Sequence, residues 1–156
     1  VGERLSRFAV ACATDPRITS DIIYKLHPGE VDRWRDAYPW LRDSTVTVID
    51  EEKPTLYKLF AESTAQVGVD STAIYEGLCF NLETYLYDIE GSSTLMPLVD
   101  ADTAQLIDSV GTLAEQLGCS FGTFDRKHYF AANALLRAQE ALERVMASER
   151  MYERSG

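Results

Sequence analysis

Apolar positions recur along this chain in short blocks whose spacing alternates between the helical and the extended period. Residues 4–13 place Leu5, Phe8, Ala9 and Cys12 at helical intervals, and Asp15-Pro16 closes that helix. Over 21–26, Ile22, Ile23, Tyr24 and Leu26 form a nearly continuous apolar run, the mark of a strand covered on both faces. Pro28 and Glu30 open a helix through about Tyr38, where Pro39 stops it. Residues 45–49 are a β-branched strand, and Asp50-Glu51-Glu52-Lys53 is a polar loop. Pro54 sits where a first helical residue stands, ahead of Leu56, Tyr57, Leu59 and Phe60 on one face. Residues 65–69 are the next strand, Ser71 or Thr72 caps a helix to about Phe80, and 84–87 is a further strand.

Strand and helix alternate with short connections, which predicts an α/β fold: a Rossmann-like parallel sheet flanked by helices. After residue 90 the pattern loosens. Gly91-Ser92-Ser93 is a turn or helix start, 104–108 a short edge strand and 110–117 a short helix. Residues 125–153 read as one long helix with Ala131, Ala134, Leu135, Ala138, Ala141, Leu142 and Val145 on its apolar side. The expected organisation is a nucleotide-sugar-binding Rossmann-like domain over 1–124 and a C-terminal helix over 125–156 that packs on the domain or a partner. A doubly wound sheet starts with a strand, whereas this chain starts with a helix and without an initiator Met. The expectation is a strand, and a whole preceding domain, upstream of Val1.

At 156 residues with 46% hydrophobic content, the chain is long enough for one buried core. No apolar run approaches the roughly 20 residues that span a bilayer, and no signal peptide is legible, so the expected compartment is the cytoplasm. A net charge of −10 argues against nucleic acid and against an anionic membrane face as partners. It leaves room for a local cationic pocket. Lysines are few: Lys25, Lys53, Lys58 and Lys127. Cys12, Cys79 and Cys119 form no CxxC and read as free thiols in a reducing compartment. With two histidines and scattered cysteines, no metal-ligand constellation is visible.

The candidate chemistry sits where strands end, because open α/β sheets bind ligands beyond the carboxyl ends of their strands. His27 ends the strand over 21–26 and precedes Pro28-Gly29. It reads either as a donor or proton-transfer group toward a phosphate, or as a strand-end histidine bonded to a carbonyl. Ser71-Thr72 follow Gly68-Val69-Asp70 at a helix start, where unpaired N–H groups attract anions; the alternative is a cap alone. Asp70 is expected to face away from such an anion. Glu76, one turn further, accepts ribose hydroxyls if the phosphate site is real and is otherwise an exposed helical glutamate. Lys25 points at a diphosphate or snorkels at the sheet edge. The loop over 50–54 with Leu56-Tyr57 offers a base pocket, while His128 and Trp34 read as structural.

Lys-Leu-His-Pro-Gly-Glu at 25–30, followed by Gly-Val-Asp-Ser-Thr-Ala-Ile-Tyr-Glu-Gly at 68–77, resembles the C-terminal, donor-binding half of GT-B-fold glycosyltransferases. The resemblance covers roughly residues 18–90. It lies closest to capsule and surface-polysaccharide enzymes, with the polysialyltransferases and CDP-glycerol glycerophosphotransferases. It implies His27 as the catalytic contact to the donor phosphate, Ser71 and Thr72 on the same phosphates, and Glu76 on the ribose. It implies a nucleotide-activated sugar or CDP-polyol as donor and a glycan as acceptor, with no tightly bound cofactor and no protein-held metal. The acceptor domain would be a missing N-terminal half, the final helix would pack on that half or drive homodimerisation, and the full-length protein would associate peripherally with a membrane. Half of such an enzyme binds its donor without transferring sugar.

Two other readings compete. Non-hydrolysing UDP-N-acetylglucosamine 2-epimerases share the fold and a strand-end histidine. Their Ser-Gly-Gly is Ser71-Thr72-Ala73 in this chain. A flavodoxin-like or receiver-like interaction domain needs acids at an earlier strand end, where His27 stands; Asp50-Glu51-Glu52 would be its acidic group.

Overall fold

The computed structural model describes residues 1–51 and 53–119, with positions 121, 122, 124, 125, 127, 130, 132 and 133. The chain divides into two compact units, Val1–Phe124 and Asp125–Gly156. Among the described residues, no helix is long and apolar enough to cross a membrane.

The fold is α/β with parallel strands. Helix α1 (Gly2–Thr14) leads to strand β1 (Ile23–Lys25), and the short helices α2 (Trp34–Ala37) and α3 (Pro39–Arg42) lead to β2 (Thr47–Ile49). Helix α4 (Leu56–Glu62) precedes β3 (Ala65–Gly68), α5 (Ala73–Leu78) precedes β4 (Glu83–Tyr87), α6 (Met96–Asp100) precedes β5 (Gln105–Ile107), and α7 (Val110–Gln116) follows. The strands form two small sheets. In one, β1 pairs with β2 in parallel, Tyr24 opposite Val48. In the other the order is β3-β4-β5, with Val67 opposite Tyr85 and Leu86 opposite Leu106.

Local chemistry explains where the elements depart from the sequence pattern. The helix expected from Pro28 to Tyr38 is a 3₁₀ turn, Pro28–Glu30, followed by α2. Pro39 starts a helix instead of stopping one, because a proline ring suits a first helical turn, where the N–H has no partner anyway. Pro54 stands before the cap: Lys53–Pro54 is cis, and Thr55 caps α4 through its hydroxyl, which accepts from Lys58 N at 3.3 Å. Most of the long helix expected over 125–153, His128 included, lies outside the described residues. At described Asn133, φ is +58°, a left-handed conformation that interrupts an α-helix.

Side-chain alternation sorts the helices onto two faces. Helix α1 divides its apolar stripe between the sheets: Ala9 packs with Tyr24, Leu26, Trp34, Leu41 and Val46, while Phe8 and Cys12 pack with Tyr85, Ile107 and Leu113. Ala65, Val67 and Tyr87 join the second group. The opposite face of β3 and β4 meets α5. There the Gln66 amide donates to the Ile74 carbonyl and to the Thr84 hydroxyl, both at 2.9 Å. A side chain at Gly77 would collide with that amide.

Two expectations follow. Gly77→Ala should cost about 1–3 kcal/mol, since it drives Gln66 off two partners and leaves buried polar groups unpaired; urea melts of both proteins measure this. Burial pushes the Cys12 thiol up to about 12 and also raises the phenols of Tyr24, Tyr38 and Tyr85. These groups ionise more readily unfolded, so the stability they contribute is complete below pH ~9 and falls as pH rises toward 12. Melting temperature should drop through that window, less steeply in Cys12→Ala.

Candidate functional site

The site grows from the exits of the parallel strands. After β1, His27 takes extended dihedrals and caps the Pro28–Glu30 turn. Its Nδ1 accepts from Gly29 N at 3.2 Å, while its own N–H donates to the Glu30 carboxylate at 3.2 Å. A ring nitrogen that accepts carries no proton, so the neutral imidazole keeps its proton on Nε2. The side chain is exposed, with that donor left for a ligand. Glu30 is held in turn by the Tyr38 hydroxyl. The carbonyl partner that the structural reading of His27 expected is replaced by this reciprocal cap.

Lys25 goes elsewhere. Its ammonium donates to the Glu51 carbonyl at 2.8 Å and lies 3.5 Å from the Ile49 carbonyl, so it ties down the loop leaving β2. The same loop is fixed by Asp50, which accepts from Trp34 Nε1 at 3.0 Å and from Arg35 at 2.7 Å. These bonds hold the Asp50 carboxyl below its usual range, the Trp34 indole contributing most. Trp34 is thus structural, as its helical position suggested.

After β3, Ser71 makes the local capping bond: its hydroxyl accepts from Ala73 N at 3.2 Å, whereas Thr72 makes no side-chain cap. Both are exposed. Asp70 lies against the loop after β4, where a side chain on Gly91 would come within 3.4 Å of its carboxylate. Gly91 has φ +104°, a conformation that excludes most other residues. Glu76 on α5 meets Tyr57 on α4, and its charge, with hydrogen bonding, raises the Tyr57 phenol. Tyr57 stacks on Phe80 with ring centroids 6.1 Å apart, and both rings are exposed.

Comparison with protein-family models, with curated proteins and with solved structures finds no match.

The structure therefore gathers the candidates into two groups: His27 with Glu30 after β1, and Ser71-Thr72 after β3 with Glu76 facing Tyr57. Lys25 serves the β2 exit. A third feature escaped the sequence reading. An open cleft of about 380 Å³ lies between α1 and the ends of β4 and β5, lined by Arg4, Arg7, Phe8, Tyr87, Asp108 and Ser109. Arg7 also pairs with Glu3 at 3.1 Å and lies 3.6 Å over the Trp40 ring. Arg4 and Arg7 are one turn apart, but their meeting with Asp108 depends on contacts a hundred residues away in sequence. Among the described residues, no three His, Cys, Asp or Glu side chains come together as a metal site.

Nitrogen-detected NMR of the neutral His27 ring should show the Nε2–H tautomer. Replacing the cap, with Glu30→Gln and Gly29→Pro, should shift that ring toward a tautomer mixture.

Proposed function

We propose that this chain is the donor-nucleotide-binding part of a glycosyltransferase or polyol-phosphate transferase acting in surface-polysaccharide synthesis in the cytoplasm. The observation that carries the reading is the held His27 ring: a strand-end imidazole whose Nδ1 is occupied by the Gly29 N–H, leaving Nε2–H as an exposed donor. Such a donor suits a phosphate oxygen on which charge grows as the sugar departs, because a positioned N–H stabilises that charge without reorganising. Ser71 and Thr72, exposed after β3, add hydroxyl donors for the same diphosphate. Helix α5 is only six residues long, so hydroxyls and local amides carry the interaction more than a helix dipole does.

Lys25 enters this reading as a positioning residue that holds the β2 exit loop, beside which a base would lie. Glu76 would exchange the Tyr57 phenol for ribose hydroxyls. The glycan acceptor and its domain belong to the full-length protein, as does association with a membrane surface.

Calorimetric titration with CMP, CDP, UMP and UDP tests the reading. Selective binding of one nucleotide is expected. His27→Ala, or Ser71→Ala with Thr72→Ala, should weaken it tenfold or more, about 1.4 kcal/mol. Lys25→Met should leave it within about threefold. Absence of binding by a folded chain contradicts the proposal.

A further inference from the structure

The division of the strands into two sheets carries information about a neighbour. In the first sheet, Leu26 N donates to Ile49 O at 3.2 Å and Thr47 N to Ile22 O at 2.9 Å. The parallel ladder therefore turns the backbone groups of Tyr24 toward β2 and those of Ile23 and Lys25 toward the other edge. In the second sheet, Glu83 N donates to Thr64 O at 3.0 Å, so Gln66 faces β4 while Ala65 and Val67 turn to the other edge. Among the described residues, neither edge is defended as exposed edges usually are. Ile23 is 43% exposed, and the charge of Lys25 is drawn off to the β2 exit loop.

Helix α1 lies over both edges. It packs Ala9 with the first sheet and Phe8 and Cys12 with the second, and Ile22, just ahead of β1, touches both groups. Crossover handedness then fixes the order. Right-handed crossovers on one face of a sheet all step in the same direction. Helix α1 and α3 share a face, and α3 belongs to the step from β1 to β2. A strand feeding α1 must therefore lie on the side of β1 away from β2. Helix α5 packs on the opposite face, so β3, β4 and β5 step the other way. Both sheets grow outward from the same centre.

We propose that a further parallel strand, contributed by residues preceding Val1 in the full-length protein, lies between β1 and β3 and joins the two sheets into one. It pairs with Ile23 and Lys25 on one side and with Ala65 and Val67 on the other. Its carboxyl end enters α1 between the exits that carry His27 and Ser71, at the point where the winding direction reverses. The proposal stands on pairing and handedness alone, whether or not a nucleotide binds.

The test is residue-resolved amide exchange on chain 1–156 and on the same chain extended by about 20 upstream residues of its own gene, enough for a strand and a short loop. The amides of Ile23, Lys25, Ala65 and Val67 should slow by about 100-fold or more in the extended chain. Those of Tyr24 and Gln66, already paired, report that both proteins are folded. Unchanged exchange at the four edge amides overturns the proposal. So does an upstream sequence with no apolar run of strand length. Slow exchange in chain 1–156 that depends on its concentration overturns it in favour of a strand from a second copy.

Discussion

The packing of α1 across the two sheets is the contact on which the rest of this structure depends. Phe8 sets its ring 4.4 Å from that of Tyr87 and, with Cys12, closes over Tyr85 and Ile107. The next residue, Ala9, points to the other sheet and closes over Tyr24 and Leu26. Polar contacts fix the helix against rotation: Ser6, fully buried, accepts from Trp40 Nε1 at 3.1 Å while donating to the Glu3 carbonyl at 2.9 Å. No described β-ladder joins the two sheets, so the burial of one amphipathic helix does what hydrogen bonding does elsewhere in the fold. Removing a buried aromatic side chain from such a contact costs about 3–5 kcal/mol, a large part of an ordinary domain's stability.

That arrangement decides how the strand exits can act. The exits are rich in carboxylates, and the chain as a whole carries ten more negative than positive charges. Cations near them are largely engaged: Lys25 with carbonyls, Arg35 with Asp50, Arg7 with Glu3 and Trp40. What the exits after β1 and β3 offer is an exposed imidazole and two exposed hydroxyls. Asp70, next in sequence to Ser71, lies against Gly91.

Much of this was legible in the chain. The β-branched and apolar runs gave the strands within a residue or two, although the strand over 21–26 is not covered on both faces as its apolar run suggested: Ile23 stays 43% exposed. The helical stripe of Leu5, Phe8, Ala9 and Cys12 gave α1, whereas the capping by His27 was not read, because histidine is not among the usual N-cap residues. Two of the misjudged positions were prolines, beside the helix from Pro28 to Tyr38 that broke into a 3₁₀ turn and α2. Pro39 and Pro54 each suit more than one place at a helix start, and tertiary packing of Trp34, Leu41 and Leu59 chose among them. The destination of Lys25 was illegible because a long side chain at a strand end reaches either toward a ligand or toward the neighbouring strand's carbonyls. The contacts of Glu76 with Tyr57, and of Arg4 and Arg7 with the Asp108 loop, join elements distant in sequence, where periodicity is silent.

The central claim is that α1 binds two separately hydrogen-bonded sheets into one cooperative unit. Native-state hydrogen exchange on Phe8→Ala tests it most directly, following the ladder-bonded amides of Tyr24 in the first sheet and Leu86 in the second. The account predicts that protection at both sites falls together, by an equivalent of about 3–5 kcal/mol. Loss of protection at Leu86 with Tyr24 unchanged, or the reverse, would show two independently stable sheets and contradict it.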